Sequence, residues 1–150
     1  MRAPGLLALV CCCAAALPPA GVAAKRILPG FHSPSGNIRC YYQASGGAAI
    51  LRCRIGRADY AKRLTGYCAS PPIGVDWGGF ELTPTHKGSV TCTGGVLYEP
   101  DRERPVFVNL PYGKTFRRGV FTCVSRTRGV TCRSRSGHGL FVARERWRVW

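Results

Sequence analysis

Arginines crowd the C-terminal third of the chain, and their spacing suits the binding of anions. From Lys114 to Arg148 the sequence holds ten lysines and arginines and one acid, Glu145. A guanidinium group holds a phosphate or a carboxylate through two parallel hydrogen bonds. Alternate side chains of a strand share one face, so Arg144 and Arg146 are predicted to line a face with Arg148.

The same two-residue spacing recurs twice more in this region. It predicts a basic β surface that binds an anionic polymer through seven side chains: Arg126, Arg128, Arg133, Arg135, Arg144, Arg146 and Arg148. Trp147 and Val149 are predicted to point to the opposite face. A solvated basic face is the competing interpretation, because arginine outnumbers lysine 18 to 4, as a GC-rich genome also produces.

Histidine offers a different chemistry, which is hydrolysis. His32 and His138 lie in segments rich in glycine and serine, where either could act as a general base toward Ser33, Ser35 or Ser136. The sequence places no orienting carboxylate near either histidine and contains no metal-binding motif. We therefore predict no catalytic residue, metal or cofactor, and a small hydrolase using His138 or His32 is the alternative to a binding module.

The first 24 residues have the pattern of a secretory signal peptide. Arg2 precedes an apolar run over 6–17, and small residues follow it, which predicts cleavage near Ala24. A run of 12 residues is shorter than the roughly 20 needed to cross a bilayer. Attachment of a lipid stays open, because the run contains three cysteines: Cys11, Cys12 and Cys13.

The other six cysteines follow the predicted cleavage site. An even number in an exported domain is typical of disulfides. Their spacing predicts two bridges across hairpins and, by subtraction, one longer link: Cys40–Cys53, Cys123–Cys132 and Cys68–Cys92. No two of the six stand at CxxC spacing, so a zinc site is not expected.

Short strands separated by glycine and proline dominate the rest of the chain. Segments rich in β-branched and aromatic residues predict strands at 37–43, 50–55, 79–83, 89–93, 105–110, 120–125, 130–133 and 140–144. Residues 58–64 are the one segment that favours a helical turn or two. The predicted fold is a single all-β domain over residues 25–150: a small disulfide-bonded antiparallel sandwich or barrel built from β-hairpins, with at most one short helical turn.

A series of short motifs runs through this domain in order. They are FHSPSGNIRC at 31–40, CRI at 53–55, DWG at 76–78, LPYG at 110–113, FTC at 121–123, GVTC at 129–132 and GHGLF at 137–141. Together they resemble an uncharacterised bacterial family of secreted and lipoprotein domains of unknown function. The resemblance implies an exported, mainly β domain with neighbouring cysteines paired in order, and it implies no catalytic or binding residue.

We therefore expect a secreted, non-enzymatic, basic module that contacts an anionic envelope polymer or an acidic glycan. Nucleic acid is not the expected partner, because the protein is predicted to be exported. A structural or inhibitory domain that binds another protein is a third interpretation. Inhibition of lysozyme-like enzymes is disfavoured, because such targets are usually basic and a chain with a net charge of +15 would repel them.

Overall fold

The computed structural model describes residues 24–150. The predicted signal peptide, with Cys11, Cys12 and Cys13, lies outside the described residues. Among the residues that are described, no helix has the length and apolar character that crossing a membrane would require.

The described residues form eleven strands and one helix. Their bounds are β1 (Arg26–His32), β2 (Ile38–Ser45), β3 (Ala48–Ile55), α1 (Ala61–Ala69), β4 (Asp76–Leu82), β5 (Ser89–Thr93), β6 (Glu103–Asn109), β7 (Thr115–Arg118), β8 (Phe121–Arg126), β9 (Gly129–Ser134), β10 (Gly139–Val142) and β11 (Trp147–Val149).

The strands form two sheets that follow each other along the chain. The N-terminal sheet has the order β5-β4-β3-β2-β1-β6, and the C-terminal sheet has the order β11-β10-β9-β8-β7. Buried residues of both sheets share one core, with Phe31 and Phe80 from the first and Phe121 and Leu140 from the second. The all-β, hairpin-built prediction is confirmed, and of its two architectures the molecule is the sandwich.

Two features of the N-terminal sheet differ from the expectation. The strand β1 was not predicted, because Pro29 and Gly30 interrupt its pattern. Gly30 is needed there, since a Cβ atom would come within 2.5 Å of the carbonyl oxygen of Cys40. In addition, β1 pairs with β6 in parallel, whereas the other strand pairs of the described chain are antiparallel.

The helix is longer than the predicted turn or two. It runs over nine residues, Ala61–Ala69, which is about two and a half turns. Its buried side chains are Leu64 and Cys68, which stand four residues apart and therefore share one face. The disulfide from Cys68 to Cys92 of β5 ties this face to the edge of the N-terminal sheet, and the helix is thereby held although it is too short to be stable alone.

All three predicted disulfides are present, in the predicted pairing. Cys40 and Cys53 lie directly opposite each other on β2 and β3, and Cys123 and Cys132 do so on β8 and β9. The sulfur atoms of Cys40, Cys53 and Cys132 lie within 4.8 Å of one another. One bridge from each sheet therefore meets the other in the middle of the core, and because these sulfurs are bonded in disulfides they offer no thiolate to a metal.

Removal of the Cys123–Cys132 bridge is expected to lower the free energy of unfolding more than removal of Cys68–Cys92. Loop length alone gives the opposite order, since the sequence separations are 9 and 24 and the contribution of chain entropy grows with loop length, from about 2.6 to about 3.5 kcal/mol. However, Cys123 and Cys132 are both fully buried, whereas in the other bridge Cys68 is buried and Cys92 is half-buried, so the replacement of Cys123 and Cys132 by alanine leaves the larger cavity. Urea unfolding of the two double alanine variants measures the order, and an order that follows loop length would contradict this account.

Candidate functional site

The outer side of the C-terminal sheet carries most of the predicted arginines. In β10 the residues on both sides of Phe141 are buried in the core, so Phe141 points outward. The strand register places Arg148 of β11 opposite Phe141, and Arg133 of β9 opposite Gly139. Directly opposite residues share a face, so both arginines point outward with Phe141.

The indole of Trp150 lies on this outer side, between two arginines. The guanidinium carbon of Arg133 is 5.3 Å from the ring centroid, and that of Arg148 is 5.8 Å from it. The absence of a side chain at Gly139 makes room for the ring, because a Cβ atom there would overlap the indole. Trp150 Nε1 donates a hydrogen bond of 3.0 Å to the carbonyl oxygen of Gly137, which fixes the ring's position.

Three further arginines extend this surface. Arg146 lies over the ring of Phe141, 5.7 Å from its centroid. Arg117 of β7 donates from Nη1 to Thr122 Oγ1 at 3.1 Å, and it lines a cleft of about 360 Å³ together with Arg133 and Arg135. The set that forms this surface, hereafter the arginine face, is Arg117, Arg133, Arg135, Arg146, Arg148 and Trp150. Within residues 24–150 none of these five arginines makes an ion pair.

Arg144 lies apart from the arginine face. Its Nε is 3.3 Å from Asp59 Oδ1, and its carbonyl oxygen accepts a hydrogen bond of 2.9 Å from the Asp59 backbone N–H. Arg144 therefore ties the β10–β11 connection to the segment before α1. Of the three arginines predicted to line one face, only Arg146 and Arg148 therefore belong to the arginine face. Trp147 and Val149 pack against the core, as the alternation predicts.

Arg126 ends β8 and Arg128 lies in the β8–β9 turn, at the other end of these strands from Arg135. They line a small cavity of about 100 Å³ that Glu145 also lines. The seven predicted residues are thus divided between two places. Arg133, Arg135, Arg146 and Arg148 come together, and the other three do not join them.

The histidines of the hydrolase interpretation lie in different elements: His32 is the last residue of β1, and His138 lies in the β9–β10 connection. His32 Nδ1 donates to the carbonyl oxygen of Ser33 at 2.9 Å. Ser136, the hydroxyl expected to serve His138, donates to the carbonyl oxygen of Pro84. No serine hydroxyl of the described chain bonds to the ring of either histidine, and the side chains of His32 and Ser136 bond to backbone carbonyl oxygens instead.

A second basic surface, which contains none of the seven predicted arginines, lies on the outer side of the N-terminal sheet. It is a groove of about 780 Å³ beside the β2–β3 hairpin. Arg39 and Arg54 lie directly opposite each other there, and the groove continues over Arg57. Tyr98 and Phe107 add aromatic lining. We call this surface, defined by these five residues, the hairpin groove.

The sequence did contain a signal for this surface. Arg39 immediately precedes Cys40, and Arg54 immediately follows Cys53. A disulfide between directly opposite residues of an antiparallel hairpin also places the residues beside it opposite each other. The predicted bridge therefore implied that the two arginines face each other on the outer side of the sheet.

Comparisons with known proteins give one match. The model of a family of unknown function, DUF6636, matches residues 8–150. Neither a curated protein nor a solved structure matches the chain. The match covers every strand described above, and it agrees with the expected resemblance to a family without established activity.

The substitution Gly139→Ala is expected to displace the Trp150 indole and to lower the free energy of unfolding by about 1–3 kcal/mol, the usual effect of overpacking. The added methyl group would overlap the ring and lie 2.6 Å from the carbonyl oxygen of Cys132. Tryptophan fluorescence and urea unfolding measure the two effects. The matched control is Gly66→Ala in α1, where the space is open and a gain of about 0.5–1 kcal/mol is expected. Unchanged fluorescence in the Gly139 variant would contradict the placement of the ring.

Proposed function

Since the chain belongs to DUF6636, whose function is not established, we propose a function from its own surface: a secreted, non-enzymatic module that binds an anionic polymer of the cell envelope through the arginine face. The observation that carries the proposal is the position of Trp150 between Arg133 and Arg148, two cations with no acidic partner in the described chain.

The aromatic contacts orient these cations without neutralising them. A guanidinium group over an aromatic ring is attracted by the ring's quadrupole and keeps its full charge. In an ion pair such as Arg144 with Asp59, by contrast, the carboxylate offsets part of the positive charge of the guanidinium group. Ordering Arg133 and Arg148 in advance lowers the conformational entropy that binding would otherwise cost, so the contacts favour capture of an external anion.

The dimensions of the arginine face suit a polymer better than a small molecule. Its arginines extend from Arg117 on β7 to Arg148 on β11, which are the two edge strands of the five-stranded sheet. With strands about 4.8 Å apart, this width is roughly 19 Å. A chain with repeated negative charges, such as an acidic glycan or a polymer with phosphate links, can contact both edges at once.

The disulfides support an extracytoplasmic role. Three disulfides are typical of proteins that work in an oxidising compartment.

The double variant Arg133→Gln/Arg148→Gln is expected to bind polygalacturonate at least about tenfold more weakly than the wild type, because a charge-assisted hydrogen bond contributes roughly 1.5–3 kcal/mol. Isothermal titration calorimetry on the full domain measures the change. The matched control is Lys62→Gln/Arg63→Gln, which removes the same charge from the exposed side of α1 and should bind almost as the wild type does.

The salt dependence provides the second measurement. Binding should weaken steeply between roughly 0.01 M and 0.1 M salt, as the screening length falls from about 30 Å to about 10 Å, and neutral dextran should not bind. Equal losses in the two double variants would mean that only the total charge matters, which would overturn the arginine face as the site. Release of reducing ends by the wild type but not by His138→Ala would favour the hydrolase instead.

A further inference from the structure

The hairpin groove contains an arrangement of charge that costs stability. Arg39 and Arg54 are directly opposite in the register of β2 and β3, and both are exposed. They point outward because Cys40 and Cys53 beside them are buried in the core. The Cβ atoms of directly opposite residues are about 4.5–5.5 Å apart, and side chains of like charge at such a pair of positions lower the stability of the sheet.

A neighbouring arginine on the same outer side, Arg52, is paired with an acid, unlike Arg39 and Arg54. Arg52 lies 3.7 Å from Glu81 and donates to Gln43. In residues 24–150, by contrast, Arg39 and Arg54 have neither an ion pair nor a side-chain hydrogen bond. The acids of this region are engaged elsewhere, so the pair is left unneutralised by the protein.

Arg57 brings a third cation to the same groove, on a segment that is held in place. The Asn37 side chain donates from Nδ2 to the carbonyl oxygen of Arg57 at 3.0 Å, and its Oδ1 accepts the Arg57 backbone N–H at 2.7 Å. Both groups of the amide thus fix the Arg57 backbone against the start of β2. The guanidinium group itself makes no ion pair within the described chain.

The other wall of the groove is aromatic. Tyr41 is buried beneath it, and burial raises the pKa of its phenol, which therefore stays neutral. Tyr98 packs edge-on against Tyr41, with ring centroids 6.1 Å apart and an angle of 86°. Phe107 lies against Gly30, whose lack of a side chain admits the ring. The volume of about 780 Å³ falls in the range of small-ligand sites, roughly 300–1,000 Å³.

From this geometry we propose that the hairpin groove binds a phosphate monoester carried on a sugar ring, at a site separate from the arginine face. A phosphate monoester has about two negative charges and three acceptor oxygens, so it can bridge Arg39 and Arg54 and still contact Arg57. A carboxylate has one charge and two oxygens, which a single bidentate guanidinium already satisfies. The sugar ring packs against Tyr98 and Phe107.

Thermal unfolding and calorimetry with glucose 6-phosphate test the proposal. The ligand should raise the Tm of the wild type, and Arg39→Gln should weaken its binding at least about tenfold. The same substitution should raise the Tm of the free protein at low salt, because it removes the repulsion from Arg54. This opposite effect on the free and the bound protein is not expected of a residue with a purely structural role.

Three comparisons make the outcome decisive. Arg57→Gln lies outside the strands and should also weaken binding, so it replaces Arg39→Gln if that variant does not fold. Tyr98→Ala should reduce the affinity for glucose 6-phosphate to that for inorganic phosphate. Arg133→Gln/Arg148→Gln should leave binding of the sugar phosphate intact, which separates failure of this site from failure of the arginine face.

Several results would overturn the proposal. If glucose binds as tightly as glucose 6-phosphate, the three arginines play no part in binding. If inorganic phosphate binds as tightly as glucose 6-phosphate, the sugar ring plays no part in binding. If none of these phosphates changes the Tm, the groove is rejected as a site.

Discussion

The disulfides Cys40–Cys53 and Cys123–Cys132 contact each other at the centre of the sandwich, one from each sheet. This contact joins the two layers, and it also fixes the register of both hairpins, because each bridge links directly opposite residues. A slip by one residue would turn every side chain of a strand to the other face. Both basic surfaces depend on this register, since Arg39, Arg54 and Arg133 each stand next to a buried cysteine and are turned outward by it.

The sandwich separates the two basic surfaces and thereby limits their mutual repulsion. They lie on the outer sides of two different sheets, which pack about 10 Å apart. The exposed charges on the two outer sides are therefore further apart than the screening length for exposed charges in physiological salt, about 8 Å. The acids that form ion pairs, by contrast, pair with arginines outside both surfaces, as Asp59 does with Arg144 and Glu81 does with Arg52. The strong net charge is therefore distributed by the fold into two surfaces of different shape.

Much of the architecture could be predicted from the sequence because it depends on local patterns. Alternation and turn glycines indicated the hairpins, and cysteine spacing within them indicated the bridges. The strand β1 could not be found this way, because its partner β6 lies far along the chain and Pro29 with Gly30 hides the pattern. The edge strand β7 of the C-terminal sheet was missed as well, since it has four residues and two of them are charged.

The candidate site shows the same division between local and distant information. Alternation correctly placed Arg146 and Arg148 together, with Trp147 on the core side. It could not show that Arg144 meets Asp59, because that contact joins residues 85 positions apart. The pairing of β1 with β6 is equally distant, and it has a consequence for synthesis. The ribosome makes β1 first, yet one side of this strand stays without its partner until β6 has emerged, so the N-terminal sheet is completed late while each hairpin of the C-terminal sheet can close as soon as it is made.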